Sequence, residues 1–408
     1  MFDYERYFLS ENPFPEIAVI DPFSDDDRVN GSIFQASLFR DEIENLDLKT
    51  QRKINMTYLS GIQFVKGVGK SALLIHHWRK CREQPESTSI YVRCDEKDKP
   101  KDLCIKIIDA WHREGTLWQV FKTIILEYSE TNKDPLLAPD AVKFLLEAHP
   151  DLPNRLPLTL YTQVHNEESL ARSLTSFTLN KFKANEKNLT QFFISYLTEP
   201  VGYPRLLNST KIDPIEVFGD FVSVLSAIGY ERHYIFLDQF EDMIMGSEKR
   251  GIGRLCLALK KMIFTSNRRV CFFVTLHPSS DMYLNTQEAR NLTGIAPLDT
   301  IHRVDVMVLD TRGDAALTLA EEYFKRFRIR EAPYTTYPVE RELVELICFL
   351  QQGNIRRFLQ QMYNCIEYGI MLELPEVTLR YALDNPQEIF GREISTTILD
   401  KFNNRKND

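Results

Sequence analysis

Five consecutive residues, Gly67-Val68-Gly69-Lys70-Ser71, constrain this chain more than any others. They lie between Met56–Ser60, whose apolar character reads as a short strand, and an apolar run from Ser71 to about Cys81 that reads as a helix. Glycines let backbone N–H groups close on phosphate oxygens, and the start of the following helix adds partial positive charge. In that context Lys70 is expected to reach β- and γ-phosphates and the Ser71 hydroxyl to ligate Mg²⁺. The candidate cofactor contacts are therefore Val65, Lys66, Gly67, Val68, Gly69, Lys70, Ser71 and Ala72. One departure stands out. The position three before Gly67, where such loops usually carry their first glycine, is Phe64. With Gly61 three residues earlier still, the loop is either longer than usual or lacks that glycine.

A strand, a loop and a helix followed by a second strand, Ser89–Cys94, begin a parallel α/β sheet. Tyr234–Leu237 and Val270–Val274 are continuous apolar runs, the pattern of strands covered on both faces, and Arg303–Leu309 alternates as one more. Helices are expected near 170–182, 189–197 and 215–228, and then, after the last strand, near 314–327, 339–350, 355–368 and 376–383. Before the sheet, Asn12-Pro13-Phe14-Pro15 and Asp21-Pro22-Phe23 form a turn-rich arm with aromatic residues able to clamp onto a core, and Ser37–Leu46 reads as an amphipathic helix. The expected division is an N-terminal arm and helix over 1–54, an ATPase core over 55–310 and a helical lid over 311–408.

The second motif is Tyr234-Ile235-Phe236-Leu237-Asp238-Gln239-Phe240-Glu241-Asp242. A buried strand that ends in an acid delivers a carboxylate to the C-terminal edge of the sheet, where ligands bind in such folds. Together with the glycine loop, this segment resembles the paired phosphate and metal motifs of the AAA+ and STAND P-loop ATPases, and its Asp-Gln-Phe-Glu ending is closer to the STAND type. The resemblance implies ATP/ADP and Mg²⁺ as cofactors, with Ser71 and Asp238 as the metal residues. Most AAA+ proteins carry a water-polarising Glu directly after that Asp. Here the residue is Gln239, which cannot act as a base, so the role is expected to pass to Glu241 or Asp242, with Glu241 preferred.

The same resemblance places a polar sensor after the strand at Val270–Leu276, with Thr275 and His277 as the candidates. Gly353-Asn354-Ile355-Arg356-Arg357-Phe358-Leu359 resembles the start of the sensor-2 helix in the initiator-type lid, which implies Arg356 over the γ-phosphate. Arg290 and Arg303 lie roughly where AAA+ proteins carry a trans-acting arginine, although surface ion pairing is the slightly simpler reading of either. Arg40 lies where initiator-type relatives approach the adenine.

Ser71 and Asp238 are separated by 167 positions, far more than one strand and its helices need. A helical insertion is expected at about 117–208, and its end, Phe192–Leu197 through Tyr203–Leu207, loosely resembles ATPases of BREX-type phage-defence systems. One basic run, Lys325-Arg326-Phe327-Arg328-Ile329-Arg330, suits either a phosphate backbone or a helix C-terminus, and the second is the simpler reading.

The formal charge of −8 argues against broad, nonspecific binding to nucleic acid. Seven scattered cysteines without a CxxC pair read as reduced buried thiols. The acidic N-terminus and the absence of a long uncharged apolar run lead us to expect an unprocessed, cytoplasmic chain with no membrane segment. The function expected from all this is an ATP-dependent switch acting through a protein partner or homo-oligomer. A DNA-metabolism or defence ATPase that binds DNA and a non-hydrolysing scaffold are the alternatives.

Overall fold

The computed structural model describes residues 3–61, 67–132, 176–177, 213–245, 249–277, 301–311 and 314–405. Five strands, β1 (Met56–Gly61), β2 (Ser87–Arg93), β3 (Arg232–Asp238), β4 (Val270–Leu276) and β5 (Ile301–Val306), form one sheet in the order β2-β3-β4-β1-β5. Every pairing is parallel, and the register aligns Arg93 with Asp238 and Ser60 with Leu276, so the C-terminal ends of the strands share one edge. The expected parallel α/β core is therefore present.

The sheet is buried on both sides because successive side chains along each strand point to opposite faces. On one face Ile90, Val92, Ile235, Leu237, Phe272 and Val274 share a core with helices α3 (Pro100–Arg113), α4 (Thr116–Asn132), α5 (Pro214–Ala227) and α7 (Lys249–Thr265). On the other, Tyr91, Tyr234, Phe236, Cys271, Phe273 and Val304 pack with Leu46 of α1 (Arg40–Gln51) and with Leu73, Leu74 and Trp78 of α2 (Lys70–Arg82). The short helix α6 (Phe240–Met245) follows β3 directly. Leu117, Val120 and Ile124 are buried in the first core, where α4 packs against α3 and α5. Apart from 176–177, the rest of the expected 117–208 insertion, including the segments near 170–182 and 189–197, lies outside the described residues.

A third core joins the C-terminal helices α8 (Ala315–Phe327), α9 (Arg341–Leu350), α10 (Ile355–Met371), α11 (Leu379–Asp384), α12 (Pro386–Phe390) and α13 (Thr396–Asn404). The last of these was hidden in the sequence by its polar composition. It is anchored by Phe402, whose ring meets Phe349 and lies 3.7 Å from the Arg405 guanidinium carbon, while Arg405 also pairs with Glu345 at 2.8 Å.

The N-terminal arm belongs to this third core as much as to the sheet. Tyr7, Leu9 and Phe14 are fully buried in it, with Phe14 stacked on Tyr323 at 5.4 Å and edge-on to Phe324 at 5.1 Å. The basic run is occupied here. Arg326 pairs with Asp27, Arg328 donates to the carbonyls of Tyr7 and Tyr337, and Arg330 lies over the Phe8 ring. Lys325 and Arg326 fall in the last turn of α8, as the helix C-terminus reading expects, whereas Arg328 and Arg330 lie beyond it.

Two histidines are locked into the sheet's cores. His77 Nε2 donates to Thr50 Oγ1 at 2.8 Å, whose own proton goes to the Leu46 carbonyl, and His233 Nδ1 lies 2.9 Å from Thr88 Oγ1. Burial pushes their pKa values down from 6.5, to about 4 for His77 and about 3 for His233, so both are neutral in the fold. The unfolded chain takes up protons below pH 6.5 that the folded chain refuses. Their contribution to stability is thus complete above that pH and is lost as the pH falls toward their folded values. Urea-unfolding midpoints should drop over this window, and a His77→Gln/His233→Gln double variant should drop less steeply. Parallel curves for the two proteins would refute this.

Candidate functional site

The Asp238 carboxylate, 3 % exposed at the end of β3, is the centre on which the predicted residues converge. Its Oδ1 accepts a hydrogen bond from Ser71 Oγ of the glycine loop at 2.9 Å and lies 2.9 Å from Thr275 Oγ1 of β4. Its Oδ2 accepts from Tyr91 Oη of β2 at 2.6 Å. The strand order makes this possible, since β4 lies between β1 and β3 and its end carries Thr275 between the loop and the acid.

After Asp238 the backbone turns through Gln239 with φ 56°, a left-handed conformation that non-glycine residues enter rarely. The Gln239 N–H donates to Thr275 Oγ1 at 2.9 Å, while its side chain accepts from Arg93 Nε at 2.9 Å. That turn starts α6 and brings Glu241 back over the sheet edge, 3.4 Å from Thr275 Oγ1 and 9 % exposed. Burial raises the Glu241 pKa above the ordinary carboxylate value, and the nearby Lys70 ammonium partly offsets the rise. Lys70 itself is 8 % exposed as the first residue of α2. Of the two sensor candidates, Thr275 bonds to Asp238 and accepts the Gln239 N–H. His277 follows β4 and is not among the residues that line the cleft.

The start of α10 packs directly on the loop. Gly67 and Gly69 have φ 96° and 99°, and a Cβ on Gly67 would come within 2.6 Å of Asn354 Oδ1 and 2.8 Å of Arg356 Cβ. Asn354 caps α10 by accepting the Arg357 N–H, and the Arg356 N–H donates to the Gly67 carbonyl at 3.2 Å. Arg356 is therefore seated beside the glycine loop with its side chain exposed at the cleft, whereas Arg357 is exposed and does not line it.

The cleft is lined by the polar groups of Gly67 to Ala72, Glu241 and Arg356 and by the apolar side chains of Ala18, Val29, Ile33, Phe34, Leu319 and Tyr323. Phe34 stacks on His76 at 4.5 Å and on Phe39 at 5.2 Å, and Arg79 of α2 donates to the carbonyls of Asn30 and Gly31 at 2.8 and 2.9 Å. The arm thus supplies the apolar wall. Its aromatic, turn-rich sequence marked a clamp but gave no sign of what it would enclose. A larger cavity, of about 1250 Å³, opens elsewhere between α1, the end of β5 and α13, away from the glycine loop; Arg40 lines that cavity and not the cleft beside Lys70.

Among the other expected residues, Arg303 on the edge strand pairs with Asp305 at 2.5 Å. Val65, Lys66, Phe64 and Arg290 lie outside the described residues.

Ser71 and Asp238 offer a hydroxyl and a carboxylate, hard oxygen donors of the kind Mg²⁺ takes while keeping several waters. The residues present fit that ion, and the run of N–H groups opening α2 fits a polyphosphate.

No family model matches the chain, and no curated protein matches its sequence. Among solved structures it is similar to the crystal structure of Cdc6p from Pyrobaculum aerophilum, at 10 % identity and a TM-score of 0.44, over 92 % of this chain and 73 % of that one. No helix among the described residues is long and apolar enough to cross a membrane.

Gly353 fixes the lid's entry to the site, since with φ 70° its missing Cβ would fall 2.2 Å from the Leu309 carbonyl oxygen. Gly391 has a similar φ of 66° but open space around it. Gly391→Ala should cost about 1 kcal/mol for the backbone alone, and Gly353→Ala roughly 2–3 kcal/mol because the chain must also move. Chemical unfolding midpoints compare the two, and equal losses would show that the close approach is unimportant.

Proposed function

We propose that this chain is an ATP-binding and ATP-hydrolysing switch of the AAA+/STAND kind, acting through a protein partner or a second copy of itself. The observation that carries this reading is the convergence of Ser71, Asp238, Thr275 and Glu241 at one sheet edge, beside Lys70 and under Arg356. A strand end that merely carried an acid would not gather a loop hydroxyl and a second, buried carboxylate around it.

In this reading the base occupies the apolar end walled by Phe34, and the phosphates occupy the glycine loop with Lys70. Ser71 and Asp238 would hold Mg²⁺, whose charge would offset that of the β- and γ-phosphates. Glu241 is suited to the base role because burial has already raised its proton affinity. It would take a proton from the water that attacks the γ-phosphorus as ADP leaves. Gln239, engaged by Arg93, has no part in that step. Arg356 sits on the lid but reaches the cleft, so a γ-phosphate contact there would favour the closed lid with ATP over ADP, which is the differential contact a switch requires.

Lys70→Ala should abolish nucleotide binding. Glu241→Gln should retain it and lower steady-state hydrolysis by about 10²-fold or more. Equal binding by wild type and both variants, without turnover in any, would replace this reading with a scaffold that holds nucleotide permanently. Turnover that appears only with DNA present, with a steep dependence on salt, would favour the DNA-acting alternative.

A further inference from the structure

We propose that Tyr91 is a positioning residue that aims the Asp238 carboxylate at the metal; this rests on the nucleotide-site reading above. Tyr91 lies on β2, separated by two strands from β1, which leads into the glycine loop, and it belongs to no motif read from the sequence. Its ring is 2 % exposed and is held between Trp78, with centroids 5.6 Å apart, and Phe23 of the N-terminal arm at 6.1 Å. From that cage the hydroxyl donates to Asp238 Oδ2 at 2.6 Å.

The division of labour between the two carboxylate oxygens is what matters. Oδ1 faces Ser71 and Thr275, the direction from which a cation held jointly by Ser71 and Asp238 would be bound. Oδ2 faces away, and Tyr91 is the partner that fixes it. A donor on the far oxygen holds the carboxylate plane, so that Oδ1 is presented without searching for a rotamer. Loss of that hydroxyl would leave Oδ2 buried and short of a partner, and the group would turn to recover one. Outer partners of this kind typically change metal affinity 10–100-fold when removed.

The test is a Mg²⁺ titration followed through the fluorescence of bound N-methylanthraniloyl-ATP, for wild type, Tyr91→Phe, Asp238→Asn and the double variant. Tyr91→Phe should raise the Mg²⁺ concentration at half-saturation by about 10-fold or more, with metal-free nucleotide binding in EDTA unchanged. In the Asp238→Asn background the same change should have little further effect, because the oxygen it acts upon has been altered. A Tyr91→Phe protein that titrates like wild type overturns the proposal. So does a full additional loss in the Asp238→Asn background, which would mean that Tyr91 acts through the fold at large.

Phe23→Ala probes the same lever from the arm, where Phe23 is 56 % exposed, without touching the buried position. It should shift the Mg²⁺ requirement in the same direction as Tyr91→Phe. If Tyr91→Phe loses metal-free binding as well, this variant decides, and an unshifted titration overturns the proposal. A wild-type protein with no Mg²⁺-dependent binding at all removes the nucleotide-site reading and this proposal together, and that outcome is seen before any variant is made.

Discussion

One buried carboxylate organises the working end of this protein. Asp238 receives hydroxyl protons or close hydroxyl contacts from Ser71, Thr275 and Tyr91, residues that belong to a helix start and to two different strands. An acid at 3 % exposure is tolerable only when its oxygens are satisfied, so the requirement of this single group ties the ends of β2, β3 and β4 to the glycine loop. The left-handed turn at Gln239 follows from the same arrangement, because its N–H completes the bonding of Thr275 before the chain doubles back to deliver Glu241.

The sheet was legible in the sequence because its strands are covered on both sides and read as unbroken apolar runs. The five strands fall on the expected segments, with ends shifted by a few residues. The largest shift is at β5, which stops at Val306 rather than Leu309 because the Leu309 N–H turns away to the Gly353 carbonyl. That Lys70, Ser71, Asp238, Glu241 and Arg356 would be gathered near one sheet edge was legible as well, since each stands at a fixed place in a motif. Tyr91, Phe34 and the arm were not. Their contacts come from long-range packing between positions tens or hundreds of residues apart, which no local pattern encodes. The cavity that Arg40 lines was hidden for the same reason: a helix can be recognised from its spacing, but the direction in which it meets its neighbours cannot.

The basic run from Lys325 to Arg330 shows how charge can mislead when read alone. Its cations fasten the arm to the lid through Asp27, through backbone carbonyls and through an aromatic face. A cluster that would look like a nucleic-acid patch is spent on intramolecular attachment. Such contacts hold best where several act together, since isolated exposed ion pairs contribute little.

The arm also changes what lid movement can be. Residues Tyr7 to Phe14 are embedded in the lid, whereas Asn30 and Gly31 are gripped by Arg79 of the sheet layer, so the chain crosses between the two layers there and again near Leu309. A door hung at one point can swing in any direction. One hung at two separated points turns about the line that joins them, and everything between follows a single arc. Here Phe34, stacked on His76, stays with the sheet layer, so that arc would carry Arg356 toward or away from a wall that does not move with it.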